Sequence, residues 1–518
     1  MIQLQPGTIE TVYKVVDGAV DPVGLFHRLK AGPHAFLLES ADHIEKYGDK
    51  STGCVDPSLR LTVRGDWFQV RALNPRGRKF LAFLRDDFPF AAEVRLETDC
   101  LVGRLPQNQQ FQDEESRLRQ GDLFDVLRAV AFKLRPRIQL EIPCGGLYGV
   151  IGYDAIEHFE RLPAQADDGL PELDFYYADN LFVIDHIQKK TYLISNLPVV
   201  DGNARDDYYD CVETIRKFEQ ALRDTTPYPV PDPPPPGPVE TDIPDGRFEA
   251  LAGALKEHIA RGDIFQGVLS RTFRAPIREE PLHVYARLKR INPGPYMFYF
   301  ESPDYTLLGS SPETCLKVTG VRDKQVEIRP IAGTIPRGRA GGEICPELDG
   351  RLELELLHDR KELAEHCMLV DLARNDIARV SVPGTRFTPE LLKVEKYSHV
   401  QHLVSTVRGR LRPDLDALHA YKATMNMGTL TGAPKIKAME LLRRYEPDKR
   451  GFYGGAVCYL TPLGEFDSCI IIRAILVRDG VAAVRAGAGI VHDSVPAREA
   501  EETRHKSRAC LEALGVKS

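Results

Sequence analysis

Residues 228–238 read Tyr-Pro-Val-Pro-Asp-Pro-Pro-Pro-Pro-Gly-Pro, and neither a helix nor an internal strand survives such a run, because proline lacks the backbone donor that both require and fixes its own φ. The run is predicted to be an extended, solvated connector. It divides the chain into a first part at 1–225, a linker at 226–242 and a second part at 243–518. In the first part, β-branched and aromatic runs at 35–39, 61–63, 68–71 and 181–187 alternate with turn residues, which predicts mostly antiparallel strands interrupted by a helix at 122–134. In the second, helical stretches at 246–262, 281–292, 352–377, 415–425, 435–444 and 497–514 are interspersed with strand-like segments. No fixed-period repeat is present. Strands cluster instead of alternating strictly with helices, so the class is α+β, not doubly wound.

At 518 residues and 43% hydrophobic content the chain can bury two large units or one elaborate one. The net charge of −7, with basic residues dispersed, excludes an electrostatic footprint for nucleic acid. Residues 1–17 hold no basic segment leading into an apolar one, and the longest apolar stretch, 469–477, is interrupted by Arg473. Neither secretion nor membrane insertion is expected, and the expected location is cytoplasmic. Ten scattered cysteines form no Cys-x-x-Cys pair, which points away from a disulfide framework or a zinc site. Cys144 sits in Pro-Cys-Gly-Gly, not in the Gly-x-Cys-x-Gly turn that exposes a nucleophile, so no glutaminase site is expected in this chain.

Several residues carry chemistry by their type and placement. Glu362 and Glu365 lie three apart on a predicted helix and share a face. That stripe continues through Leu369 and Leu372, while Leu356, Leu363, Cys367 and Met368 form a second apolar stripe, which predicts a helix buried on two sides. Carboxylates in such a place need a cation, a donor or a proton. Glu502 and Lys506 are i, i+4 in the last predicted helix, which by itself describes a surface pair of about 0.3–0.5 kcal/mol. Gly487-Ala488-Gly489 suits close approach of backbone N–H groups to an anion. Arg473, set in an apolar run, offers a planar fork for a carboxylate.

Five motifs follow one another along the chain: Gly-Ser-Ser-Pro-Glu at 309–313, Arg-Pro-Ile-Ala-Gly-Thr-Ile-Pro-Arg-Gly at 329–338, Glu-Leu-Ala-Glu-His at 362–366, Gly-Thr-Leu-Thr-Gly-Ala-Pro-Lys at 428–435 and Arg-Ala-Gly-Ala-Gly-Ile-Val at 485–491. With Glu502 and Lys506 behind them they resemble the chorismate-utilising enzymes, and among these the large subunits of anthranilate synthases. The resemblance implies a pair of packed, mainly antiparallel sheets with helices outside, to which both parts contribute strands. It implies Mg²⁺ held by Glu365 and Glu502 with Glu362 close to its water shell, and a chorismate pocket formed by Gly333, Thr334, Thr429, Tyr453, Arg473, Gly487, Ala488, Gly489 and Lys506. It makes Glu313 the general acid for the departing C4 hydroxyl, a role that needs a carboxyl pKa raised by roughly two units from about 4.3. His402 is matched to removal of the C2 proton; His399 has no such match.

Which chorismate enzyme is decided at two positions. Enzymes of the family that add water carry a lysine base where this chain has Gln266, and glutamine cannot deprotonate water. Many aminodeoxychorismate synthases carry a nucleophilic lysine where this chain has Ala332. Both positions favour attack of ammonia at C2 and loss of pyruvate to give anthranilate, with ammonia supplied by a glutamine amidotransferase partner. An aminodeoxychorismate synthase and a catalytically dead chorismate or tryptophan sensor are the alternatives. Glu39, Ser40 and Lys50, together with Pro295, Tyr296 and Met297, resemble the family's L-tryptophan inhibitor site, with Gly294 standing where serine is usual and Gly267 where valine is common.

Overall fold

Strands from both sides of the proline-rich run pair with one another, and they do so twice. The computed structural model describes residues 4–41, 50–106, 113–201, 204–397 and 400–516; His399 lies outside them. Among these residues two thirteen-stranded sheets form. The first runs from Gln266–Pro276 through Val481–Ile490, Ala474–Arg478, Thr306–Ser311 and Tyr296–Glu301 into Ala35–Glu39, Lys50–Val55, Asn180–Asp185, Lys190–Val199 and Thr8–Asp17. The second runs from Ile331–Pro336 through Val400–Arg410, Gln325–Ile328, Thr314–Thr319, Phe466–Ile470 and Ala456–Leu460 into Gly146–Ile151, Leu173–Ala178 and Leu59–Arg64. The seams are antiparallel, Met297 opposite Glu39 in one sheet and Ala456 opposite Ile151 in the other. Among the described residues the one parallel pairing is the short contact of Thr8–Ile9 with Arg135–Pro136. The class is therefore α+β with mainly antiparallel sheets.

Period-two alternation puts one face of each sheet into a shared layer. Phe36, Phe298, Phe300 and Leu307 from the first sheet meet Tyr148, Val150, Tyr176 and Val457 from the second. Phe36 stacks on Tyr148 with ring centroids 4.8 Å apart and Phe300 on Tyr176 at 5.0 Å, each stack contributing about 0.5–1.5 kcal/mol beyond area burial. Helices cover the outside. Pro281–Ile291 and Pro496–Ala513 lie on the first sheet, and Arg360–Ala378 lies on the Ile331–Pro336 and Val400–Arg410 strands.

Three expectations need correction. The helix predicted over 352–377 is two helices, Pro346–His358 and Arg360–Ala378, because Asp359 is extended (φ −69°, ψ 111°) and caps the second by accepting from the backbone N–H groups of Lys361 and Glu362. The second helix is buried on one side only, through His366, Leu369, Val370, Ala373, Asp376 and Ile377, while Cys367 is exposed and Leu363 and Met368 are half-buried. Glu362 and Glu365 thus sit at the margin of a buried face. The connector is extended and mostly exposed, yet it is not free: the Tyr228 N–H donates to Asp21 Oδ2 at 2.7 Å and Arg287 Nη1 donates to the Pro231 carbonyl at 3.0 Å. Helices at Pro22–Leu29 and Pro75–Phe83 were not anticipated, although Asp21 and Asn74 cap them ahead of a first-turn proline.

Cutting at the connector would leave two strand edges unpaired in each half and expose the aromatic layer. Residues 1–225 and 243–518 expressed separately should each lack a cooperative thermal transition by circular dichroism, whereas the whole chain unfolds in a single one. A cooperative transition in either half alone would show that half to be an independent unit.

Candidate active site

Two of the places where the chain crosses between the sheets are adjacent corners. Thr306–Ser311 of the first sheet passes through Pro312 and Glu313 into Thr314–Thr319 of the second; Phe466–Ile470 returns through Ile471, Ile472 and Arg473 into Ala474–Arg478. The corners are bonded to each other, the Ile470 N–H donating to the Glu313 carbonyl at 3.0 Å and the Ser310 N–H to the Arg473 carbonyl at 3.1 Å. Arg473 takes φ +49°, a left-handed conformation costing a non-glycine residue about 1–2 kcal/mol. Its guanidinium has no hydrogen-bond or ion-pair partner among the described residues. Burial holds its pKa below the usual arginine value. A strained backbone carrying an unpaired, enclosed cation is arranged for an anion.

Glu313 is 6% exposed, and its Oε1 accepts from Thr429 Oγ1 at 3.0 Å. Burial pushes its carboxyl up to about 8, against the opposing effect of that bond and of Lys506 and Arg473, so it carries a proton at neutral pH. His402 is buried on the Val400–Arg410 strand, with Nδ1 2.9 Å from Thr334 Oγ1 and Nε2 without a partner. Burial, and then Arg473, lower its pKa to about 4. With Nδ1–H donating to Thr334, the free Nε2 is a neutral base. Thr334 therefore meets the histidine directly. Gly333, beside it, has φ +77° at a register shift, and a Cβ there would lie 3.1 Å from Leu356 Cδ1 and 3.3 Å from Glu362 Oε2.

The opposite wall is the Val481–Ile490 strand. A Cβ on Gly487 would lie 2.9 Å from Tyr453 Oη, and one on Gly489 2.6 Å from Gln266 Nε2, so only glycine leaves this backbone open. Ala488 turns its methyl into the core among Leu255, Leu269 and Ile490 and offers the site backbone alone. Lys506 Nζ donates to the Gly487 carbonyl at 3.2 Å and pairs with Glu502 at 2.6 Å, so the i, i+4 pair forms, half exposed, beside the Gly487 backbone. Gln266 Nε2 donates to Glu365 Oε1 at 3.1 Å, and Gln266 Oε1 is buried without a partner.

Four carboxylates meet here. Burial and then Glu365 raise the pKa of Glu362; burial, with Glu502 nearby, raises that of Glu365. Glu499, one turn before Glu502, is raised by burial and by Glu502; its role was not read from the sequence, though i, i+3 spacing to Glu502 is visible there. Among the described residues no three His, Cys, Asp or Glu side chains are placed to hold a metal together. A cation bound by Glu365 and Glu502 alone would keep most of its waters, which suits Mg²⁺.

A second cavity, of about 270 Å³, lies between the sheets. Leu38, Ser40, Lys50, Tyr296 and Phe298 face Tyr148, Lys317, Val457, Tyr459 and Asp467 across it, with Pro295 at the side. Ser40 Oγ and Tyr148 Oη are buried without hydrogen-bond partners. Of the six sequence candidates, Ser40, Lys50, Pro295 and Tyr296 belong to this cavity by their side chains. Glu39 and Met297 sit opposite each other and point through the other face of the sheet: Glu39 accepts from Tyr285 Oη at 2.6 Å and Lys289 Nζ at 2.6 Å, and Met297 packs in the outer core. Both reach the cavity as backbone only, because alternation turns every second side chain away. Tyr148, Lys317 and Asp467 were missed, being distant in sequence and on the other sheet. At Gly294 a Cβ would lie 2.7 Å from Ser310 Oγ, so the serine hydroxyl already fills that space.

The sequence pattern of chorismate binding enzymes matches residues 97–512, and the chain belongs to this family. It is 44% identical over 524 residues to anthranilate synthase component 1 of Escherichia coli (strain K12), covering 99% of this chain and 98% of that one, and 44% identical over 511 residues to its counterpart in Vibrio cholerae, covering 98% and 96%. The crystal structure of anthranilate synthase component I from Streptococcus pneumoniae superposes with a TM-score of 0.70 at 29% identity, over 93% of both chains. The menaquinone-specific isochorismate synthase of Escherichia coli, at 17% identity and a TM-score of 0.66 over 99% of this chain and 96% of that one, shares the fold.

The raised carboxyl has a measurable consequence. With a folded pKa of about 8 and an unfolded one of about 4.3, the stabilisation from neutral Glu313 is complete below the unfolded value and is lost as pH rises through the folded one. Glu313→Gln, which cannot ionise, should gain thermal midpoint relative to wild type steadily from pH 6 to about pH 8 and level off above it. A difference that stays constant over that range would mean that Glu313 is already ionised at neutrality.

Proposed function

We propose that this chain is the chorismate-processing component of an anthranilate synthase, converting chorismate and ammonia to anthranilate, pyruvate and water. The observation that carries the reading is a protonated Glu313 and a neutral His402 set around one unpaired guanidinium, Arg473. Glu365 and Glu502 would hold Mg²⁺, which when bound supplies positive charge for the ring carboxylate. Gly487 and Gly489 leave room for that carboxylate against the strand, and Arg473 takes the enolpyruvyl carboxylate in a bidentate grip. Glu313 gives its proton to the C4 hydroxyl as ammonia adds at C2 and the C4–O bond breaks. Gln266 Oε1, buried and unpartnered, accepts an N–H of the incoming ammonia. His402 Nε2 then takes the C2 proton, the ring becomes aromatic and the C3–O bond breaks to release enolpyruvate, which takes up a proton at its methylene carbon and becomes pyruvate. Ala332 leaves no amine to compete for the substrate.

Ammonia is protonated and unreactive in neutral water, and Cys144 lacks a nucleophile turn, so a glutamine amidotransferase partner delivers it. The relatives' designation as component 1 agrees with a second component. No helix among the described residues is long and apolar enough to cross a membrane, in keeping with work in the cytoplasm. The inter-sheet cavity takes L-tryptophan as feedback inhibitor: Asp467, Lys50, Ser40 Oγ and Tyr148 Oη meet its polar groups, and Pro295, Phe298 and Val457 cover the indole.

Mixing the pure chain with chorismate, Mg²⁺ and an ammonium salt at alkaline pH should produce anthranilate fluorescence, whereas glutamine in place of ammonium should give none until an amidotransferase component is added. Release of 4-amino-4-deoxychorismate as sole product would favour an aminodeoxychorismate synthase, and binding of chorismate without turnover would favour a sensor.

Glu365→Gln and Glu502→Gln should each lower kcat/KM by at least about 10²-fold with the fold intact by circular dichroism. His402→Ala should accumulate the aminated intermediate, detectable by chromatography, because amination uses Glu313 and elimination uses the imidazole. Undiminished Mg²⁺-dependent turnover in both glutamine variants, or normal anthranilate yield from the alanine variant, would remove those residues from the mechanism.

A further inference from the structure

The inter-sheet cavity and the acid corner are built on the same strands, and one hydroxyl joins them. Tyr296, on the first sheet, reaches across the cavity so that its Oη lies 3.0 Å from Thr314 Oγ1 and donates to Asp467 Oδ1 at 3.2 Å, both on the second sheet. Thr314 is 3% exposed and immediately follows Glu313. Thr314 stands opposite Cys469, and the ladder shifts register between it and Lys317, which resumes against Asp467. Such irregularities re-aim neighbouring side chains. Asp467 also pairs with Lys317 at 3.0 Å, and three residues further along its strand, about 10 Å, the Ile470 N–H holds the Glu313 carbonyl. Both strands of the acid corner thus begin at the cavity wall.

Resting on the reading of that cavity as a tryptophan site, we infer that Thr314 is the positioning residue through which occupancy of the cavity reaches Glu313. An amino acid bound between Ser40 and Lys50 on one sheet and Asp467 on the other competes for the carboxylate that Tyr296 Oη now donates to. Tyr296 re-forms its hydroxyl contacts, Thr314 follows, and the carboxyl of Glu313 leaves its place beside Thr429. A displacement of about 1 Å at such a group is enough to cost on the order of 10²-fold in rate. Because coupling between two ligands is reciprocal, chorismate must weaken tryptophan binding by the factor by which tryptophan weakens chorismate binding.

The test is calorimetric titration of the full chain with L-tryptophan, in Mg²⁺ and without any ammonia source, in the absence and presence of saturating chorismate. For wild type, chorismate should weaken tryptophan binding by about 10-fold or more. Thr314→Val should bind tryptophan within about threefold of wild type while the chorismate effect falls below about twofold; Thr314→Ser, which restores the hydroxyl, should recover it. Tyr296→Phe removes the same contact from the cavity side and should lose the chorismate effect as Thr314→Val does, which keeps the test decisive if the valine variant does not fold. Full retention of the chorismate effect in Thr314→Val or Tyr296→Phe overturns the inference, as does a wild type that binds tryptophan with no chorismate effect, an outcome that leaves the ligand assignment standing. A wild type that binds no tryptophan overturns the ligand assignment and this inference with it.

Discussion

Glu446 is the buried charge around which the catalytic half is assembled. Its Oε1 accepts from the backbone N–H and Oγ of Ser270 and from Arg450 Nη2, and its Oε2 accepts from Arg450 Nε and Arg485 Nη2, all between 2.6 and 2.9 Å. Burial alone would raise its pKa, but Arg450 and Arg485 hold it below the ordinary glutamate value. Arg450 spends its remaining donors on the carbonyls of Leu430 and Val268, and Arg485 donates to that of Lys449. One carboxylate thereby ties the Gln266–Pro276 strand, the Val481–Ile490 strand and the 428–435 loop into a single body. Removing Glu446 would leave the guanidiniums of Arg450 and Arg485 without their carboxylate in a dry interior, which costs about 3–5 kcal/mol. Tyr453 lies with its ring 5.8 Å from the Arg450 guanidinium and 6.0 Å from that of Arg485, and this is what holds its hydroxyl over Gly487.

Set on that body, the site uses burial in opposite senses. Desolvation penalises whichever form of a group is charged, so it keeps a proton on Glu313 and off His402 within one cavity. The two outcomes match an acid that must donate and a base that must accept. Where desolvation cannot neutralise a group, as at Arg473, the charge stays unpaired. At the carboxylates of Glu362, Glu365, Glu499 and Glu502 the local excess is negative, so the pocket presents two ends of opposite sign to a dianionic substrate.

The inter-sheet layer serves two ends. Its aromatic stacks join the two halves, and the gap it leaves among Tyr148, Tyr296, Phe298 and Tyr459 is a cavity whose walls belong to different sheets. A ligand there would touch both sheets at once, and the crossing corners that carry Glu313 and Arg473 are among the places where the sheets are covalently joined.

Much of this was legible in the chain itself. Clustered strands with long helices behind a proline-rich connector define α+β, since periodicity and proline geometry are local properties, and the motif set points to the chorismate-binding family. Local reading failed where a neighbour distant in sequence decides the outcome. Whether the helix around Glu365 is buried on one side or two depends on what packs against Cys367, and Cys367 is exposed. Whether Glu39 and Met297 enter a pocket depends on the register of a seam between residues 35–39 and 297–301, which alternation converts into facing toward the cavity or away from it. The raised pKa of Glu313 comes from burial, which Thr429 and Arg473 oppose, and the free nitrogen of His402 from the turn of its other nitrogen toward Thr334; all depend on segments brought together from distant parts of the chain. Residue type sets which chemistry is available; desolvation and register, which exist only once the sheets have packed, determine which groups carry it out.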